Sequence, residues 1–400
     1  MFSFELLAKE GKARAGKLVT PHGSIITPSF VAVGTQGTVK SASVEDLRRI
    51  GNQVIISNIY HLHLRPGEDL IEKMGGLHRF MSWEGPLMTD SGGFQIFSLG
   101  AAREHGVGKI APLFPGAQDR GDHFRSKREE SLVKINEAGV EFISYLDGSR
   151  HHFTPERVIE IERKLDADII LVLDECTSPL HDYHYTSAAM ERTHRWAIRA
   201  LEEFQRTSDK SQALWGIVQG GAYRDLREES ATFTANQNFD GYAIGGSLGR
   251  SKDDMYRVLE WTIPFLPQDK PRHLLGIGTI EDIFEVVKRG IDLFDCIAPT
   301  LMAQTGTLFA KEAKGFRIHI TNAQFKDDPR PIEVGCNCHT CCNYSRAYLR
   351  HLFMAREPLG TRLATIHNLS FMESLMDQIR AAIKEGRFEA LRRKWISIEK

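Results

Sequence analysis

The chain has 400 residues, 42% of them hydrophobic, and its 51 Lys and Arg against 52 Asp and Glu leave a formal net charge of −1. That length supports a full core and fits a single barrel with appendages, while the balanced charge excludes a broadly basic nucleic-acid coat and leaves room only for a local basic face. Residues 331–400 offer one such face, with 11 Lys and Arg against 7 Asp and Glu. The N-terminus lacks a basic start followed by a long apolar run, and no stretch of 18 apolar residues occurs. A cytoplasmic protein without a membrane span is therefore expected.

Residues 1–26 read as a β-hairpin lid turning at Thr20-Pro-His-Gly. A repeating pattern then begins. Ser29 to Val33 is strand-like, Ser43 is placed to cap a helix, and Val54-Ile-Ile-Ser is a second strand ending at Asn58. Residues 66–75 start with Pro-Gly and stop with Gly like a helix. A third strand, Pro86 to Thr89, ends at Asp90. Residues 100–139 break the rhythm with Gly, Pro and charge, and are expected to form a long inserted loop or lid. A hairpin turning at Asp147-Gly148 follows, and Thr154-Pro155-Glu156 opens a helix.

The rhythm resumes with strands ending at Asp174, Gln219-Gly220-Gly221, Gly245-Gly246-Ser247, Gly276-Ile-Gly278 and Asp295, separated by helical stretches. Eight strands alternating with helices predict a (β/α)8 barrel. The runner-up, an open doubly wound sheet, would gather its polar strand ends at one switch point, and no G-x-G-x-x-G follows a strand. Three strands end in Asp, at positions 90, 174 and 295. A carboxylate at the C-terminal end of a barrel strand is well placed to act on a ligand. Pro299 is expected to forbid a regular continuation after the eighth strand.

The run Cys336-Asn-Cys338-His-Thr-Cys341 places three thiols within six residues. In a cytoplasmic chain this spacing points to structural zinc rather than disulfides. The fourth ligand is open among His339, Cys342, His351 and His367. The expected organisation is a catalytic barrel over 1–330, carrying the N-terminal hairpin and the 100–139 insertion, and a zinc-binding subdomain with C-terminal helices over 331–400. Cys176 and Cys296 read as packed small residues, Trp215 and Trp261 as packing aromatics, and Arg392-Arg393-Lys394 as a solvated face.

Several motifs taken together resemble the tRNA-guanine transglycosylases, also called queuine tRNA-ribosyltransferases. They are Asn58-Ile-Tyr-His-Leu-His-Leu-Arg-Pro-Gly, Thr89-Asp-Ser-Gly-Gly-Phe-Gln, Asp147-Gly-Ser-Arg, Asp174-Glu-Cys-Thr, Gly216-Ile-Val-Gln-Gly, Gly241-Tyr-Ala-Ile-Gly-Gly, Phe294-Asp-Cys, the cysteine run and Ile366-His-Asn. The resemblance runs from about Leu6 to about Arg393 and suggests the bacterial-type single-chain form. It implies a (β/α)8 barrel with a zinc subdomain that exchanges guanine in a tRNA with a G-U-N anticodon for a 7-deazaguanine base. It also implies Asp295 as nucleophile and Asp90 as general acid/base. Asp174 would read the N–H edge of the base, Gln219 and the Gly246 N–H its carbonyl, and Phe94 would stack on it. Ser91, Gly92, Gly93, Cys176, Gly245, Ser247 and Leu275 complete the implied base pocket. The implied RNA contacts are Gly276, Ile277, Gly278, Thr279, Ile280, Glu281 and Asp282 after the seventh strand, and Thr300, Leu301, Met302, Ala303 and Gln304 after the eighth. The zinc ligands would be Cys336, Cys338, Cys341 and His367, and the protein a homodimer.

Two departures matter. Bacterial members usually carry an Arg-rich loop after Pro-Thr, whereas Leu301-Met-Ala-Gln304 contains no Arg. Gly249 stands where bacterial members carry Val, which predicts a roomier pocket able to admit queuine. Three rival functions follow: insertion of a 7-deazaguanine into DNA, a noncatalytic partner subunit, and a zinc-dependent barrel hydrolase. The intact Asp90, Asp174 and Asp295 and the closed zinc ligand set count against the last two. The chain's end near Lys400 counts against the archaeal branch with its extra C-terminal domains.

Overall fold

A computed structural model describes residues 2–97, 133–207 and 211–399. Eight strands close into a barrel: β4 (Ser29–Val33), β5 (Ile55–Asn58), β6 (Leu87–Asp90), β10 (Ile169–Leu171), β11 (Ala213–Val218), β12 (Gly241–Ile244), β13 (Arg272–Leu274) and β14 (Leu293–Asp295). The circuit runs β10-β11-β12-β13-β14-β4-β5-β6. Neighbouring strands are parallel, as in β14 with β4, where Asp295 lies beside Val31. Every residue of β5, β10, β11, β12 and β13 is buried, as expected for strands covered on both faces. The (β/α)8 expectation is met.

By its internal contacts the chain divides into two compact units. One comprises residues 1–57, 78–88 and 271–400. In it β1 (Ser3–Glu10), β2 (Ala13–Thr20) and β3 (Gly23–Thr27) form an antiparallel sheet, one strand more than the expected hairpin. Nor is this sheet a lid over strand C-termini. Arg14 Nε and Nη2 donate to Asp292 at 2.7 and 2.5 Å, and Asp292 immediately precedes β14. The Ile26 N–H donates to Gln53 Oε1 at 2.8 Å, two residues before β5. The sheet therefore docks on strand N-termini, the face opposite the polar strand ends, because its buried arginine finds its carboxylate there.

The same unit holds β15 (Thr307–Phe309), β16 (Arg317–His319) and the helices His339–Asn343, Arg346–Met354, Pro358–Lys384 and Phe388–Glu399. Leu308, Ile320, Ile332, Leu349 and Leu363 form their core around Cys338 and Cys341. The long helix Pro358–Lys384 is pinned by Arg362, whose Nε and Nη2 donate to Asp46 at 2.9 and 3.0 Å. Asp46 also completes the capping box of helix Val44–Ile50 with Ser43. The Arg392-Arg393-Lys394 run is not wholly a solvated face. Arg392 donates to both Glu285 and Glu389, while Arg393 stays exposed.

The second unit comprises residues 58–77 and 89–270. Here β7 (Val133–Ile135), β8 (Val140–Ile143) and β9 (Arg150–Phe153) form a small antiparallel sheet, which includes the expected hairpin. Residues 100–132 of the expected insertion lie outside the described residues. Among the described residues no helix is long and apolar enough to cross a membrane.

Candidate active site and metal centre

Asp295 is the last residue of β14. Its Oδ1 accepts from His273 Nε2 at 3.0 Å and from the Gly276 N–H at 3.1 Å. His273 is fully buried on β13, so its ring has one place to point. Two donors on one oxygen orient the carboxylate. Sequence reading passed over His273. Its only local signal was a polar ring beside the apolar Leu274 and Leu275. Cys296, next in the chain, is packed as expected, and burial pushes its thiol up to about 12, far from a nucleophile's range.

In the other unit Asp90 ends β6. Its Oδ2 accepts from Asn58 Nδ2 at 2.6 Å and Gln95 Nε2 at 3.4 Å, and its Oδ1 from the Gly92 N–H at 3.2 Å. Asn58 is itself the last residue of β5, and its Oδ1 caps the helix Ile59–Leu64 through the His61 N–H. The Asn58 motif thus earns its place by fixing Asp90.

Asp174 is buried beyond β10. Its Oδ1 accepts from Ser91 Oγ at 3.2 Å and its Oδ2 from Gln219 Nε2 at 2.5 Å. Gln219 Oε1 is buried and, among the described residues, has no hydrogen-bond partner. With the amide oriented this way, Gln219 presents an open acceptor, and its nitrogen keeps one N–H beyond the bond to Asp174. Two glycines make this contact possible. A Cβ on Gly93 would stand 2.5 Å from Asp174 Oδ1, and one on Gly246, at φ +71°, would stand 2.0 Å from Gln219 Oε1. Cys176 and Ser247 are buried beside the same loops, and Phe94 is half-buried within the helical turn 93–97.

Gly249 requires a correction. Its φ is +98°, and a Cβ there would meet Asp254 Cβ at 2.2 Å. The absent side chain faces the start of helix Lys252–Thr262, not a pocket. Glycine is required by backbone conformation and helix approach, so Gly249 gives no support to a roomier base site.

Both segments expected to contact RNA carry buried as well as exposed residues. Residues after Pro299 are not a loop: Ala298–Gln304 is a helix, and Pro299 sits in its first turn, where proline is tolerated. Thr300 and Ala303 are buried, leaving Leu301 and Gln304 exposed and Met302 between. In the earlier segment Ile277, Gly278, Ile280 and Asp282 are buried, and Thr279 Oγ1 caps the next helix by accepting from the Asp282 N–H at 3.3 Å. Their side chains shape the segment; Gly276 is its exposed residue, with Thr279 and Glu281 half-exposed.

Cys336, Cys338, Cys341 and His367 bring their ligand atoms within 4.8 Å of one another. The three sulfurs lie 4.0, 3.6 and 3.3 Å from His367 Nδ1. Ordinary zinc–sulfur and zinc–nitrogen bonds span a tetrahedral edge of about 3.6 Å, so the set fits a four-coordinate metal. His367 Nε2 donates to the Phe309 carbonyl at 2.7 Å, which turns the Nδ1 lone pair toward the sulfurs. His339 and Cys342 are exposed. The neighbour Asn368 donates to the carbonyls of Pro299 and Thr307 at 2.9 and 3.0 Å. The ligand cluster is thereby joined to the helix that follows Asp295.

One titration bears on the pocket. The Gln219 N–H donates to Ser230 Oγ at 3.0 Å, and Ser230 Oγ lies 3.0 Å from His194 Nε2. Burial, helped by Arg195, depresses His194 from 6.5 to about 4. Between those values the unfolded chain binds a proton that the folded chain excludes. The stability contributed by the neutral ring is therefore complete above pH 6.5 and lost as pH falls toward 4, by about 3 kcal/mol at about 1.4 kcal/mol per unit. Urea titrations should show wild type losing about 2 kcal/mol more than His194→Gln between pH 6.5 and 4.5. Parallel profiles for the two proteins would refute the assignment.

A family model described as Queuine tRNA-ribosyltransferase matches residues 9–112 and 118–400. The queuine tRNA-ribosyltransferase of Herpetosiphon aurantiacus is 48% identical over 397 residues, covering 99% of this chain and 92% of its own length. That of Roseiflexus sp. is 45% identical over 410 residues, covering 99% of each chain. A relative from Archaeoglobus fulgidus is 50% identical over 393 residues, covering 96% of each. Matched along nearly its whole length, the chain belongs to the queuine tRNA-ribosyltransferase family, a family of pentosyltransferases.

Proposed function

We propose that this protein exchanges the guanine at the wobble position of a tRNA with a G-U-N anticodon for a 7-deazaguanine base, in queuosine modification. The observation that carries this reading is the buried pair of Asp174 and Gln219, backed by Ser91. It offers carboxylate oxygens, an open amide oxygen and a remaining amide N–H to the donor and acceptor edge of a guanine-like base. The target nucleotide must leave its stack to reach such a pocket.

An oxygen of Asp295 attacks the ribose anomeric carbon as the bond to the guanine nitrogen breaks. The departing base takes its proton from Asp90. The incoming base returns a proton to Asp90 and attacks the same carbon, breaking the ester to Asp295. Two displacements retain configuration, as in other carboxylate-based glycosyl transfers. Phe94 stacks on the base, and the Gly246 N–H donates to its carbonyl. The family resemblance assigns Cys176, Gly245, Ser247 and Leu275 to base binding. Cys336, Cys338, Cys341 and His367 hold a structural Zn2+, which supplies cross-linking rather than chemistry. Gly276, Leu301 and Gln304 are the exposed candidates for RNA contact. A cytoplasmic homodimer completes the reading, carried from the family resemblance.

The test is incorporation of radiolabelled guanine into an unmodified tRNA bearing a G-U-N anticodon, beside a DNA duplex and a tRNA with a different anticodon. Incorporation confined to the first substrate is expected. Labelling of the duplex alone, or of no substrate, would overturn the proposal. Competition between queuine and 7-aminomethyl-7-deazaguanine in the same assay identifies the natural base.

A further inference from the structure

Arg227 lies in helix Arg224–Ala235 and is completely buried. Among the described residues no carboxylate reaches it. Its guanidinium donates instead to four backbone carbonyls: Nε to Gly221 at 2.6 Å, Nη1 to Val218 at 2.9 Å, and Nη2 to Gly245 at 3.0 Å and Ser247 at 2.8 Å. These carbonyls belong to two loops. Val218 and Gly221 bracket Gln219; Gly245 and Ser247 bracket Gly246.

An arginine buried without a counter-charge is costly, and a Leu or Met could fill the same volume. What an apolar side chain cannot do is gather carbonyls from both loops with one rigid planar fork. Glycines help turn those carbonyls inward, since Gly220, Gly221 and Gly246 have φ of +123°, +58° and +71°. The loops meet where tolerance is smallest, because a Cβ on Gly246 would stand 2.0 Å from Gln219 Oε1. A shift of a few tenths of an ångström would misalign a base that bonds to both loops.

We propose that Arg227 is a positioning residue that sets the affinity for the free base by locking the Gln219 loop against the Gly246 loop. This rests on the reading of Gln219 and Gly246 as base-recognition groups. Burial lowers the Arg227 pKa to about 9, with Cys176 opposing the shift, so the fork stays charged at neutral pH. Nothing in this role touches the nucleic acid. The predicted signature is therefore a split between the two substrates.

Steady-state guanine exchange is compared for wild type, Arg227→Lys and Arg227→Gln, with guanine and tRNA varied separately and thermal unfolding run on each protein. The KM for guanine should rise at least tenfold in Arg227→Gln and by less in Arg227→Lys, which keeps the charge but loses the fork. The KM for tRNA should stay within twofold. A merely structural residue would lower Tm and the active fraction while leaving both KM values alone, and that outcome overturns the proposal. Insolubility of both variants would also overturn it, by making Arg227 a folding residue. Absence of wild-type exchange on any tRNA would instead sink the parent reading of the site and this inference with it.

Discussion

Asp295→Asn should abolish base exchange, with kcat/KM falling by roughly four orders of magnitude or more, the scale seen when a covalent enzyme loses its nucleophile. The substitution is nearly isosteric. The Asn carbonyl oxygen can still accept from His273 Nε2 and the Gly276 N–H, which hold Asp295 Oδ1 at 3.0 and 3.1 Å. Thermal stability should therefore stay close to wild type, separating chemistry from folding. The decisive readout is the adduct. Wild type incubated with labelled tRNA in the absence of free base, then denatured, should carry label on a gel; Asp295→Asn should carry none. A labelled band from the Asn variant would assign the nucleophile elsewhere. His273→Phe offers a milder version, expected to reduce the rate of adduct formation by misorienting the carboxylate while leaving it in place.

The second large effect concerns the metal. Purified protein should contain one zinc per chain, and Cys341→Ser or His367→Ala should lose it together with more than about 4 kcal/mol of stability. The reason lies in the connections behind the ligands. His367 holds the Phe309 carbonyl at 2.7 Å, and Asn368 holds Pro299 and Thr307 at 2.9 and 3.0 Å. When the ligand cluster loosens, the helix Ala298–Gln304 loses its backing only a few residues beyond Asp295. Metal loss should therefore depress exchange even in the fraction that stays folded. Cys342→Ser is the control, since that thiol is exposed and outside the ligand set. Metal analysis with unfolding curves decides the matter. Full zinc in Cys341→Ser, or no metal in wild type, would refute the centre.

Much of this architecture was legible from local pattern. Strand and helix periods, cap residues such as Ser43 and Thr154, and polar residues at strand ends all express forces that act over a few residues. The cysteine run is likewise a local fact, because three thiols within six residues can gather on one side of an ion. By itself the sequence determined the (β/α)8 alternation, the three aspartates at strand ends and a cysteine cluster able to hold a metal. It left the fourth ligand open among several residues until family motifs favoured His367.

Tertiary structure decided what depends on partners far along the chain. The N-terminal sheet became a floor rather than a lid because Arg14 pairs with Asp292, 278 residues away. Gly249 proved to face a helix start, and the segment after Pro299 became a helix backed by Asn368. His273 and Arg227 were silent in the sequence although their partners lie only 6 to 22 residues away. Their meaning lies in which oxygen each nitrogen meets, and the packing of neighbouring strands and loops brings those atoms together.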